Sequence, residues 1–201
     1  MDSKLTGKTV LITEATRNFG EDLALAFAAE GSNLMLASRD NPEFLEQTAR
    51  EARALGVQAC TVQCDLSNES QVEDLVGGCV SQFASLDVAI NNVLFPMPLQ
   101  SLEEIPFEVW KRKFDVETTG SFQLFKQVIP QMIQQQWGRV INFTGVDAFN
   151  GADVMSSATE MGLVGLTRGI AREYGKHNIT ANCIGPGGIE NQEAEGLHPV
   201  E

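Results

Sequence analysis

The sequence predicts an α/β fold: a doubly wound parallel sheet with helices on both faces, formed by one domain over residues 1–189. Short β-branched runs alternate with stretches of helical apolar spacing, which is the pattern of βαβ units. Connections are short, and glycines stand where two of the helices must stop. With 201 residues and 43% hydrophobic content, the chain holds one sizeable core and too little for two full domains.

Residues 8–13 (KTVLIT) form the first expected strand, and residues 19–30 have helical spacing that stops at Gly31. Residues 33–37 (NLMLA) read as a buried strand, and residues 43–55 as a helix ended by Gly56. The third strand covers 57–64, where Cys60, Val62 and Cys64 share one face and read as core. A helix over 69–83 and a strand over 86–91 (LDVAIN) follow. A loop with Pro96 and Pro98 leads to one long helix over 107–136. Residues 139–144 (RVINFT) form the fifth strand, 156–174 a helix, and 178–184 (NITANCI) the sixth strand. Residues 190–201 carry acids but no Lys or Arg, and read as an acidic tail or the remnant of a substrate loop.

Fourteen Lys and Arg stand against 27 Asp and Glu, a net charge of −13 that excludes nucleic acid and anionic membranes as expected partners. No apolar run approaches the ~18 residues of a spanning helix. The opening MDSKLTGKTVLIT lacks the shape of a signal peptide, so a cytoplasmic protein is expected. The cysteines (Cys60, Cys64, Cys79, Cys183) and histidines (His177, His198) offer no second close ligand pair, so no metal site is expected.

In a doubly wound sheet, ligands sit at the carboxyl ends of the strands, beside the turn after the first. Here that turn is TEATRNFG, residues 13–20. Cys64-Asp65-Leu66 follows the third strand, Asn91-Asn92 the fourth, and Pro186-Gly187 the sixth; MGLVGLTRGIAREYG fills the last helix. On these motifs, which span nearly the whole chain, the sequence resembles the short-chain dehydrogenase/reductase family and its Rossmann-type fold. That resemblance implies a nicotinamide dinucleotide contacted by Thr13, Arg17, Gly20, Arg39, Asp65, Leu66, Asn91, Pro186, Gly187 and Ile189. Of the family's TGxxxGxG glycines only Gly20 remains; the others are Glu14 and Asn18. A carboxylate at 14 about 5 Å from a phosphate would cost ~3 kcal/mol at an effective dielectric of 20. Arg17, Arg39 and the absence of an Asp after Ala37 favour NADP(H) over NAD as the cofactor, if one binds.

Family members use a Tyr acid/base, a Lys one helical turn later, a Ser after the fifth strand and an Asn in the long helix. By resemblance these positions fall on Ser156, Glu160, Gly145 (with Thr144 the nearest hydroxyl) and Glu117. A serine hydroxyl is a weaker acid than a phenol and falls roughly 4 Å short of it, where ~1 Å can cost a hundredfold in rate. Glu160 inverts the charge that would lower a neighbour's pKa. The sole tyrosine, Tyr174, lies about 27 Å along the same helix from Ser156. Glu117, Asp147, Asp153 and Glu160 are expected near the cleft, where crowded carboxylates would raise one another's pKa.

Three readings stay open. One is a pseudoenzyme, partner subunit or binding protein on this fold. The second is an active NADP(H)-dependent oxidoreductase acting on a carbonyl, alcohol or enoyl substrate through other groups. The third is a non-redox lyase or isomerase built on cleft carboxylates. The family's seventh strand is not expected, which would leave the sixth as an edge. The resemblance also implies a homo-oligomer, a dimer or tetramer, through helices 107–136 and 156–174, with Gly162, Gly165 and Gly169 allowing close packing.

Overall fold

In the computed structural model, residues 3–16, 18–95, 100–151 and 153–187 are described, with the side chains of Asn18 and Asp147 excepted. The expected contacts at Arg17 and Ile189, the prolines at 96 and 98, and the acidic segment 190–201 lie outside the described residues.

The strands are β1 (Thr9–Thr13), β2 (Asn33–Ser38), β3 (Ala59–Gln63), β4 (Val88–Asn91), β5 (Gly138–Phe143) and β6 (Ile179–Ile184). They form one six-stranded sheet in the order β3-β2-β1-β4-β5-β6. Every pairing is parallel, with Leu11 opposite Met35 on one side and Ala89 on the other. The helices are α1 (Asn18–Ala29), α2 (Pro42–Ala54), α3 (Glu69–Phe83), α4 (Phe107–Lys113), α5 (Gly120–Gln135), α6 (Asp147–Asn150) and α7 (Val154–Tyr174).

Both faces of the sheet are covered, which is why the strands read as continuous apolar runs instead of alternating. Val10, Ile12, Leu34 and Leu36 pack with Ala24, Leu45 and Ala49 of α1 and α2. Leu11, Met35 and Val140 pack on the other face with Leu75, Leu124, Phe125 and Ile170. Cys60 and Val62 lie against this second cluster, beside buried Cys64, as their shared strand face implies. Burial pushes the Cys64 and Cys79 thiols up to about 12, which leaves them inert core residues.

Two differences from the sequence reading matter for function. The helix expected over 107–136 is interrupted: α4 passes into a π-helical turn at Phe114–Thr119 before α5 begins. Such turns insert a residue into the ladder and re-aim side chains, and here the turn carries Glu117. The last helix starts earlier than expected because Asp153 caps it, accepting a bond from the Ser156 amide at 2.7 Å. Among the described residues, β6 is the edge strand beside β5.

Candidate functional site

β1 is the point where strand order reverses, with β2 on one side and β4 on the other. A doubly wound sheet opens a crevice at the carboxyl ends of such strands. Here a cleft of about 360 Å³ lies there, lined by Phe19, Gly20, Asn92, Glu117, Thr144, Gly145, Glu160, Pro186 and Gly187 among others. Phe19 meets Phe143 edge to face at 4.7 Å, tying the start of α1 to the end of β5. A side chain at Gly20 would collide with the Glu14 carbonyl, so only glycine lets α1 start this close to the loop.

The cleft floor is a closed polar network. Asn91 is fully buried and donates to Ser121 and Asn142, both at 2.7 Å, while accepting from Thr13 at 3.2 Å. Thr13 Oγ1 also accepts from the Asn92 amide at 2.9 Å. Asn142 donates to Thr167 at 3.3 Å, carrying the network into α7. Thr13 and Asn91, expected as cofactor contacts, are buried and fix the strand ends. Leu66 does likewise: a Cβ at Gly120 would lie 2.8 Å from the Leu66 Cβ, so it sets the seat of α5.

At the β1–α1 loop, Glu14 takes a left-handed backbone with φ 51°, the conformation that glycine favours. Its carboxylate turns to the end of β2, where it accepts from Ser38 Oγ at 3.0 Å and from the Arg39 amide at 3.2 Å. Burial raises its pKa above the ordinary value, against the lowering effect of those two bonds. Arg39 points its guanidinium at Asp40, 2.7 Å away. Asp65 accepts from the Ser67 hydroxyl and amide and is bridged by Arg112 at 3.0 Å. Burial opposes its ionisation, but these partners outweigh it and hold the carboxyl below the usual range.

The remaining expected acids divide. Glu117 and Glu160 face the cleft, whereas Asp153 is a helix cap. Burial pushes the Asp153 carboxyl up, but the Ser156 bonds more than reverse this, so its pKa is lowered instead of raised by crowding. The Asp147 side chain lies outside the described residues. Glu117 is 1% exposed, and both of its oxygens are engaged. One oxygen takes the Lys113 ammonium and the Phe95 amide, both at 2.8 Å, and the other takes the Thr159 hydroxyl at 2.6 Å. Lys113, itself 2% exposed, also donates to the Phe95 carbonyl. The sequence reading missed this buried cation, although its i,i+4 spacing to Glu117 was visible.

Glu160 is buried, and its Oε2 accepts from the Ala148 amide at 2.9 Å. A Cβ at Gly145 would lie 2.5 Å from Glu160 Oε1. The carboxylate therefore fills the space that a serine side chain at 145 would need. Thr144 Oγ1 is directed at the Glu160 carbonyl at 3.5 Å. Of the positions singled out in sequence, Glu117, Thr144 and Glu160 line the cleft, whereas Ser156 is not among the described lining residues and gives its amide to the Asp153 cap. Among the described residues, no tyrosine and no lysine line the cleft.

The short chain dehydrogenase family model matches residues 8–199. The chain is 31% identical over 192 residues to the 3-oxoacyl-(acyl-carrier-protein) reductase FabG of Staphylococcus epidermidis, covering 94% of this chain and 78% of that protein. It is 30% identical to the corresponding reductase of Synechocystis, covering 96% and 79%. A crystal structure of NAD+-bound xylitol dehydrogenase superposes with a TM-score of 0.88 at 30% identity, covering 92% of this chain and 72% of that one. With the sheet order, the switch-point cleft and Gly20 all in place, the chain belongs to the short-chain dehydrogenase family of oxidoreductases.

Proposed function

We propose that this chain keeps the family's dinucleotide-shaped cleft but has exchanged hydride-transfer chemistry for a binding or partner-subunit role. The observation that carries this reading is Glu160, whose carboxylate fills the serine space beside Gly145 and stands where the resemblance puts a lysine. Around it, no phenol is available to move a proton, and Glu117 spends both oxygens on Lys113, Phe95 and Thr159. A general base must reach the proton that it abstracts, and a carboxyl group 1% exposed with both oxygens engaged is poorly placed to do so, which counts against the lyase or isomerase reading. In favour of a dinucleotide at the pyrophosphate turn is Gly20, which lets the helix start lie close to the loop. When bound, such a cofactor supplies hydride chemistry. This chain's residues would hold it through the Gly20 turn, Asn92 and the Pro186-Gly187 wall.

The role extends to self-association. Beside α5 and α7 an apolar groove of about 360 Å³ is lined by Phe122, Ile129, Pro130, Leu166, Gly169 and Tyr174. Cβ atoms at Gly165 and Gly169 would meet nothing within 4 Å, so this face is open to a second copy. Gly162 is not part of it, since it packs on Thr118 of its own chain at 3.3 Å.

The test is nicotinamide absorbance with purified protein, NADH or NADPH, and an acetoacetyl thioester, a small analogue of a 3-oxoacyl substrate. The reading expects no oxidation above the protein-free control, and steady turnover with either cofactor overturns it.

A further inference from the structure

We infer that Glu14 is the acceptor for the adenosine ribose hydroxyls, so the cleft takes dinucleotides without a 2′-phosphate and rejects those that carry one. This rests on the reading that the cleft still binds a dinucleotide, and it reverses the preference that the arginines alone imply. In doubly wound dinucleotide folds an acid beside the end of β2 takes the ribose hydroxyl pair, and a nearby Arg takes a 2′-phosphate. This chain has Ser38 at the end of β2, not an acid. The structure brings a carboxylate to that place from the neighbouring loop. Glu14 reaches Ser38 Oγ at 3.0 Å and the Arg39 amide at 3.2 Å.

The bonding capacity of the group suits a diol. A carboxylate has about four lone-pair sites, and the Ser38 and Arg39 bonds account for one on each oxygen. One site per oxygen is left for a vicinal hydroxyl pair. Among the described residues, the groups that would hold a 2′-phosphate already have other partners. The Arg39 guanidinium is bonded to Asp40 through both Nε and Nη2, and Ser38 Oγ serves Glu14 and the Asp40 carbonyl. A 2′-phosphate would meet the Glu14 and Asp40 carboxylates together. The left-handed backbone at position 14, φ 51°, is what aims the side chain across to β2.

Calorimetric titration of the intact protein with NAD+ and NADP+ tests this without requiring turnover. Wild type should bind NAD+ about a hundredfold tighter than NADP+. Glu14→Gln keeps the shape and removes the charge, and should bring the two within about threefold. Glu14→Gly, which suits the backbone, is the second variant and should lose affinity for NAD+ while gaining it for NADP+. Tighter NADP+ binding by wild type, or an unchanged preference in Glu14→Gln, overturns the role of Glu14 and leaves the proposed function standing. Binding of both cofactors by Glu14→Gly but neither by wild type overturns it too, because Glu14 would then be a plug. No binding by any of the three proteins overturns the dinucleotide reading along with it. Turnover of NADH would overturn only the loss of hydride transfer.

Discussion

The Glu160 carboxylate lies 2.5 Å from where a Cβ on Gly145 would sit, so the two positions are sterically coupled. Gly145→Ser alone should destabilise by about 1–3 kcal/mol, because Glu160 must leave its bond to the Ala148 amide. Glu160→Ala should remove most of that penalty, giving a coupling of about 0.5–3 kcal/mol in a double-mutant cycle by urea denaturation. Additive costs would show that Glu160 yields freely.

Lys113 and Glu117 form a buried ion pair at 2.8 Å across the π-helical turn. Lys113→Met should cost about 3–5 kcal/mol, since it strands a buried carboxylate. Adding Glu117→Gln should recover more than half of this, measured as the shift of the denaturation midpoint. A double variant no more stable than the single one would contradict the pairing.

Burial raises the Glu14 pKa, so its folded form holds a proton over a pH range where the unfolded chain has released it. Stability contributed by this group is therefore present at low pH and lost as pH rises from its ordinary value of 4.5 through the raised one. Glu14→Gln removes that loss, so its gain in thermal midpoint over wild type should be larger near pH 7 than near pH 4. An equal or smaller gain near pH 7 would refute the assignment.

Gly20 abuts the Glu14 carbonyl, and a methyl group there forces the loop away from α1. Gly20→Ala should cost about 1–3 kcal/mol and weaken dinucleotide binding. Unchanged stability and binding would show that the turn tolerates a side chain.

Phe122 is 53% exposed at the groove between α5 and α7. Phe122→Glu should convert an oligomer to monomer in light scattering after size exclusion, with secondary structure kept. An unchanged mass would place any interface elsewhere.

The parallel, doubly wound layering was legible because strand and helix periodicity alternate cleanly and the central strands are buried on both faces. Glu117 and Glu160 were legible at the cleft through motif spacing. The π-helical turn was not, since 107–136 carries uninterrupted helical apolar spacing and nothing local marks an inserted residue. Nor was the direction of Glu14. Its charge pointed to repulsion of phosphate, whereas its left-handed backbone, which no periodicity reveals, sends the carboxylate to Ser38. The inward role of Asn91 was hidden for a related reason: motif position names a residue but not which side of the strand end it faces.

The most direct test of the central claim compares wild type with the variant Glu117→Asn, Gly145→Ser, Ser156→Tyr, Glu160→Lys in oxidation of NADH by an acetoacetyl thioester. The account predicts no turnover by wild type and measurable turnover by the variant, since the four changes clear the serine space and supply the missing phenol and ammonium. Wild-type turnover equal to or above the variant's would contradict it.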